Sequence, residues 1–284
     1  MTRLGLLTSQ DLPHFCPDDR DLISAFRDIG IEAVPLIWDQ YTPASDTPLL
    51  IRTIWDYSLK RAQFEQFLDT VDRSGVRLLN PVSIVRWNMN KRYMLDLKKA
   101  DIAAVPTTVI ESYTPADSEP HVRTRPIVVK PLVGASGRDT FLIESVEHIG
   151  VSSVLEGRPV VIQPFVESVR THGEYSFMFF GGVFSHAVVK RPGGSEFRVQ
   201  EKHGGSTEKY EPSPDEIRAV QSYVDQCGYT PTYVRVDVVW FENRLAVMEF
   251  EAIEPELFFR FTESGLARYC AVIKSELENG TGRV

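Results

Sequence analysis

The stretch that most constrains this chain is Tyr233–Phe258, YVRVDVVWFENRLAVMEFEAIEPELF. Two apolar runs, Tyr233–Trp240 and Leu245–Phe250, flank the turn-prone Phe241-Glu242-Asn243-Arg244, so the segment reads as a β-hairpin. Acids sit where a buried sheet disfavours them. Asp237 interrupts the first run. Glu249 and Glu251 lie two apart on the second, and a strand points such a pair to one face. Glu254 follows just beyond. Carboxylates that converge inside apolar strands repel one another and lose hydration, a cost that a cation offsets. Oxygen-only donors suit a hard cation, and Mg²⁺ usually arrives with phosphates attached. The hairpin therefore predicts a floor for Mg²⁺ and a nucleoside triphosphate. The same alternation also fits a half-exposed hairpin whose acids face water. The rest of the chain decides between the two, according to whether it supplies a nucleotide site.

With 284 residues, 43% apolar and 25% charged, the chain has the composition of a soluble globular protein of two or three subdomains. A net charge of −8 argues against a nucleic-acid partner held by a broad basic surface. No apolar run approaches membrane-spanning length, and the opening MTRLGLLTSQD lacks a signal-peptide core, so no membrane partner and a cytoplasmic location are expected. Cys16, Cys227 and Cys270 are far apart and odd in number, which predicts reduced thiols without metal spacing.

In chain order, Leu4–Thr8, a helix over Asp19–Ile29 stopped by Gly30, Ala33–Ile37 and Leu49–Thr53 predict a βαβ layer with parallel strands. Arg52, Asp56 and Tyr57 fall at or just past the end of its third strand, where open α/β sheets place ligands. They either read a polar substrate or form a structural Arg–Asp pair over a packed Trp55. Ala62–Ser74 reads as an amphipathic helix, and one further helix runs from about Arg86 to Ala100. Ala104–Ile110 and Ile127–Pro131 read as strands joined by the polar loop Glu111–Pro126. Lys130 ends the second strand and is followed by Gly134-Ala135-Ser136-Gly137-Arg138. Such a loop lets backbone N–H groups approach phosphate oxygens, although it lacks the P-loop spacing and an ordinary hairpin has the same look. Pro159–Pro164 is another strand, leaving through Gln163-Pro164-Phe165-Val166-Glu167, and an extended exit of this kind can bind an adenine through its backbone. Gly173–Phe180 and Val183–Lys190 form a hairpin with Glu174 and Ser176 on one face. The polar segment after it holds Lys190, Arg191, Arg198, Lys202 and His203, of which Lys202 and His203 read as solvated. Helices over Asp215–Cys227 and Gly265–Glu278 complete the chain.

In this order the parts resemble the ATP-grasp superfamily, in which nucleotide is clamped between two α+β domains. The branches that look nearest are bacterial glutathione synthetase, the RimK-type ligases and D-alanine–D-alanine ligase. The resemblance is strongest over Lys130–Phe258 and weakest over the first ninety residues. It implies an α/β (α+β) fold: an N-terminal βαβ domain over 1–90, a small lid domain over 91–160 and a C-terminal antiparallel-sheet domain over 161–284. Lys91 looks like the helix-start lysine that touches ATP, and Lys130 like the strand lysine that reaches its α-phosphate. Gln163, Phe165 and Val166 resemble the adenine linker, with Glu167 or Glu174 on the ribose. Lys190-Arg191 with Glu196-Phe197-Arg198 is similar to the RimK-type run K-R…E-F-R-x-N, Gln200 standing in for the asparagine. Arg235-Val236-Asp237 resembles the R-V-D of D-alanine–D-alanine ligase, which implies that Arg235, with Arg198, stabilises the reaction's oxyanion. Asp237, Glu249 and Glu251 match the Mg²⁺ ligands, Glu251 replacing a usual asparagine. Arg52, Asp56, Tyr57, Lys190 and Glu254 remain for an amino-acid-like carboxylate substrate. The run IRTIWDY and the hairpin EFEAIEPELFF look like the branch that closes the cycloserine ring. The resemblance implies ATP- and Mg²⁺-dependent activation of a carboxylate as an acyl phosphate for attack by an amine, intramolecularly from O-ureido-D-serine. The alternatives are two-substrate ligation, or ATP binding without chemistry. Many relatives are dimers or tetramers, so self-association is an expectation of the resemblance alone.

Overall fold

The computed structural model describes residues 2–43, 46–194 and 196–279. Its first layer is the expected parallel sheet. β1 (Thr2–Thr8) lies between β2 (Ile31–Ile37) and β3 (Leu49–Thr53), and β3 also pairs with β4 (Leu78–Leu79), giving the order β2-β1-β3-β4. Every residue of β3 and all of β1 from Leu4 onward is buried, which is why Leu4–Leu7 and Leu49–Ile51 read as apolar runs. The helix Arg61–Ser74 buries Phe64, Phe67, Leu68 and Val71, roughly 1.5–3 kcal/mol for each side chain. It ends at Gly75, whose φ of 71° is left-handed and free of steric cost only for glycine.

The expected single helix near residue 90 is two, Val82–Met89 and Tyr93–Lys99. Asn90 adopts an extended conformation and its side chain accepts the N–H of Arg92, which competes with helix continuation. The expected strand Ala104–Ile110 is mostly irregular. Only β5 (Thr108–Ile110) joins the next sheet, after β6 (Ile127–Pro131), β7 (Phe141–Ile143) and β8 (Val160–Pro164) are placed in the order β5-β8-β6-β7. Ala104 instead bridges to Val247, and Pro106 between the two pairings has no N–H to offer a ladder. The polar segment expected as a plain loop contains the helical turn Glu119–Val122.

The third sheet is antiparallel and five-stranded: β9 (Glu174–Phe180), β10 (Val183–Arg191), β11 (Ser206–Tyr210), β12 (Tyr233–Phe241) and β13 (Arg244–Glu251), in the order β11-β10-β9-β12-β13. Glu242 and Asn243 turn the β12–β13 hairpin with φ of 49° and 63°, the two left-handed residues that suit a tight hairpin turn. The helix Gly265–Asn279 sets Tyr269, Cys270, Ile273 and Leu277 against Leu4, Leu6 and Phe26 of the parallel layer and Phe180 and Tyr233 of this sheet. That shared core fixes the end of β3 beside the end of β13. The three cysteines are free and buried, and no helix among the described residues is long and apolar enough to cross a membrane.

Candidate active site

Strand pairing brings the three acids together. Asp237 lies opposite Glu249 and Arg235 opposite Glu251 across the hairpin, with a bulge between Asp237 and Val238. One carboxylate oxygen from each of Asp237, Glu249 and Glu251 falls within 4.8 Å of the others. Basic side chains surround them. Arg235 donates to both oxygens of Asp237 at 2.9 Å and also to Glu251. Lys190 lies 3.0 Å from Asp237 and 2.6 Å from Glu174, and Ser176 donates to Asp237 at 2.6 Å. Lys91, freed by the helix break at Asn90, reaches Glu249 at 2.6 Å.

These partners divide the carboxyls. Burial works against ionisation of Asp237, yet Arg235 and Lys190 outweigh it and hold this group well below the carboxylate range. Burial likewise opposes ionisation of Glu249, and Lys91 and Lys130 bring it down to about 2. In Glu251 burial wins over Arg235, and the group rises to about 7. Glu254 is pushed up to about 8 by burial and by Glu251.

Above this floor opens a cavity of about 360 Å³. Lys130 lines it, and among the described residues its ammonium makes neither a hydrogen bond nor an ion pair; burial lowers its pKa. The loop Gly134–Arg138 forms one wall, with Ser136 and Gly137 at φ of 59° and 64°. Arg198, Gln200 and Lys202 face it from the segment after β10, and a Cβ on Gly137 would meet Gln200 Oε1 at 3.2 Å. At the far end the N–H of Phe165 is taken by Pro126, whereas the N–H of Val166 has no partner among the described residues. Gln163 is buried there and donates to Thr107 at 2.8 Å.

Of the expected site residues, Arg235, Arg198, Lys91, Lys130, Gln163, Phe165, Val166, Glu174, Lys190, Glu249, Glu251, Glu254 and Tyr57 line this cavity, with Asp237 beneath. Three do not. Arg52 is fully buried and bonded to Asp19 at 2.9 and 3.0 Å, so an Arg–Asp pair does form, but with a partner thirty-three residues earlier rather than with Asp56. Asp56 pairs with Lys60 at 2.7 Å and accepts from Trp38. Glu167 is exposed beside Arg170, which leaves Glu174 at the cavity. Lys190 lines the cavity but is consumed by Glu174 and Asp237. Lys202, expected in solvent, is a cavity residue; Ser136 and Arg138 of the expected glycine loop and Gln200 of the K-R…E-F-R run line it too, and Trp55 and Phe258 join them without having been expected as site residues. Trp55 lies inside the IRTIWDY run, and Arg138 inside the glycine loop; Phe258 carries no sequence signal.

The sequence model of the prokaryotic glutathione synthetase ATP-grasp domain matches residues 91–239. The chain belongs to the ATP-grasp ligases. A second model, the N-terminal domain of D-cycloserine synthetase DcsG, matches residues 4–80. Cycloserine biosynthesis protein DcsG of Streptomyces lavendulae is 30% identical over 283 residues, covering 90% of this chain and 93% of that protein. The crystal structure of D-cycloserine synthetase DcsG is similar with a TM-score of 0.79 at 26% identity, over 97% of this chain and 99% of that one. D-alanine–D-alanine ligase from Bacillus anthracis, solved with ATP, shares the fold with a TM-score of 0.71 at 16% identity, over 99% and 98% of the two chains. As an ATP-grasp enzyme the chain is an ADP-forming carbon–nitrogen ligase that joins a carboxylate to an amine, uses ATP and Mg²⁺, and acts on small-molecule carboxylates. Its residues fit both groups: the converging donors are all oxygens, which suits Mg²⁺, and Lys130 is a buried cation that makes no ion pair among the described residues.

Proposed function

We propose that this ATP-grasp ligase closes a ring within one amino acid, forming cycloserine or a close analogue. Residues 1–90 contribute the substrate side, 91–160 the lid and 161–284 the metal and nucleotide floor. The observation that carries the reading is the 30% identity to the cycloserine biosynthesis protein, extending over 90% of the chain and so over the substrate side as well as the ATP-grasp core.

Val166 offers the adenine its free N–H, Glu174 stands by the ribose, and Lys91 and Lys130 meet the phosphates. Asp237, Glu249 and Glu251 would hold Mg²⁺, which neutralises phosphate charge during transfer. The substrate carboxylate attacks the γ-phosphorus and ADP leaves, giving an acyl phosphate. A nitrogen lone pair then attacks the acyl carbon, phosphate leaves, and one N–H proton is lost to solvent. Arg235, fixed by Asp237, Glu251 and the carbonyl of Glu256, faces the oxyanion of that step, with Arg198 across the cavity. O-amino-D-serine closes directly to the ring, whereas O-ureido-D-serine gives the same ring with hydrolytic loss of its carbamoyl group as carbon dioxide and ammonia.

ADP release with O-ureido-D-serine or O-amino-D-serine as the sole co-substrate of MgATP, accompanied by a cyclic product, is the expected result. ADP release that requires a second amine would move the reading to two-substrate ligation.

A further inference from the structure

The turn after β13 is held more firmly than its irregular backbone suggests. Consecutive carbonyls from Ala252 to Glu256 each accept from a different side chain: Asn80 at 2.8 Å, Tyr233 at 2.7 Å, Trp55 at 3.0 Å, Arg52 at 3.1 Å and Arg235 at 3.1 Å. Asn80, Arg52 and Trp55 come from the parallel layer and its loops, Tyr233 and Arg235 from β12. A backbone fixed at every carbonyl fixes the direction of the side chain it carries. Here that side chain is Glu254, at the cavity wall beside Tyr57.

The Glu254 carboxyl makes no ion pair and no hydrogen bond to another residue among those described, while the nearby ammonium of Lys91 is committed to Glu249 and to the carbonyl of Gly134. It is also outside the carboxylate group that converges within 4.8 Å, so it is not a further member of the metal floor. Burial without a paired cation drives this acid towards its protonated form in the ligand-free protein, and a ligand that brings a cation favours its ionised form. The cation must come from the substrate side, because the phosphates and the metal lie with Lys91, Lys130 and Asp237.

We propose that Glu254 binds the α-ammonium group of the amino-acid substrate and so makes the enzyme select amino acids over carboxylates that lack that group. This rests on the ring-closure reading above, in which the α-ammonium stays charged while the reacting amino-oxy nitrogen is neutral. The Trp55 and Tyr57 rings at the same wall favour a cation as well.

The test is calorimetric binding to protein saturated with Mg²⁺ and a non-hydrolysable ATP analogue. The probes are O-amino-D-serine and 3-aminooxypropionic acid, which differ only in the α-ammonium group. Wild-type protein should bind the first about tenfold to a hundredfold more tightly. Glu254→Gln should bind both alike, with unchanged affinity for the ATP analogue, and Glu254→Asp should regain part of the preference. Equal binding of the two probes by wild type overturns the proposal, as does a preference that survives in Glu254→Gln. Should Glu254→Gln fail to fold, wild-type discrimination and the aspartate variant still decide. Tight, ammonium-dependent binding without ADP release from MgATP would overturn ring closure and leave the Glu254 assignment standing; binding of neither probe overturns both.

Discussion

Four carboxyls run along the end of one hairpin, and its two ends behave differently. Asp237 and Glu249 are held ionised, whereas Glu251 and Glu254 rise to about 7 and 8. Burial is the largest influence on each of them and pushes all four the same way. The difference lies in the cations. Asp237 is paired with Arg235 and Lys190, Glu249 with Lys91 and helped by Lys130, Glu251 shares Arg235, and Glu254 has no ion pair among the described residues, only the more distant charge of Lys91. The protein thus pairs one end with its own cations and leaves the other, together with the Lys130 ammonium, which forms no ion pair among the described residues, for ligands to complete. A site whose unmet charges are matched by its substrates gains selectivity at some expense of ligand-free stability.

Removing a charge from the neutralised end should have the largest effect. Glu249→Gln keeps the shape of the side chain, and Lys91 retains the Gly134 carbonyl, so the fold should persist. Loss of one Mg²⁺ ligand should lower ADP release by about 10³-fold or more. Parallel turnover and circular dichroism melts check this, and near-normal turnover would sink the metal assignment.

The lysines give the same contrast at smaller scale. Lys190 is buried between Glu174 and Asp237, so Lys190→Met strands Glu174, takes one of two cations from Asp237, and should cost about 3–5 kcal/mol of stability. Lys130→Met removes a buried cation that makes no ion pair among the described residues and only helps Lys91 hold Glu249 ionised, so the ligand-free Tm should change far less than in Lys190→Met, while ATP binding weakens by about tenfold to a hundredfold. Denaturant titration and nucleotide binding on both variants measure the contrast. A Lys130→Met protein that melts early while binding ATP normally would reverse the roles of the two residues.

The convergence of the acids was partly legible in the sequence, because a strand's period of two puts Glu249 and Glu251 on one face however the chain later folds. The parallel layer was legible for a similar reason, its buried strands carrying apolar runs. The Arg52–Asp19 pair was not, since local sequence carries no signal for a contact thirty-three residues apart between a strand and a turn. β11 reads as a loop because both faces of Ser206–Tyr210 are polar; backbone pairing to β10 holds it at the sheet edge, without an apolar face to reveal it. Lys202 reads as solvated for the same reason, its neighbours giving no period that would show the segment folding back over Gly137.

The smallest effect separates the two ends by pH. Glu254 sits at about 8 in the fold against an ordinary 4.5, so the native state favours its protonated form. Its stabilising contribution is complete below about pH 4.5 and is lost as pH rises through 8, and Glu251 follows the same sign through 7. Glu249 has the opposite sign: its contribution is present at neutral pH and disappears only as pH falls through about 2. Between pH 5 and 9 the unneutralised end therefore governs, and the Tm of the ligand-free protein should fall by an amount of the order of a few °C as pH rises. Glu254→Gln removes one of the two titrating groups and should flatten that slope, without shifting any loss of stability at acid pH that Glu249 controls. Melts of both proteins across this window measure the difference, and identical slopes would mean that the Glu254 carboxyl ionises as freely as one in water.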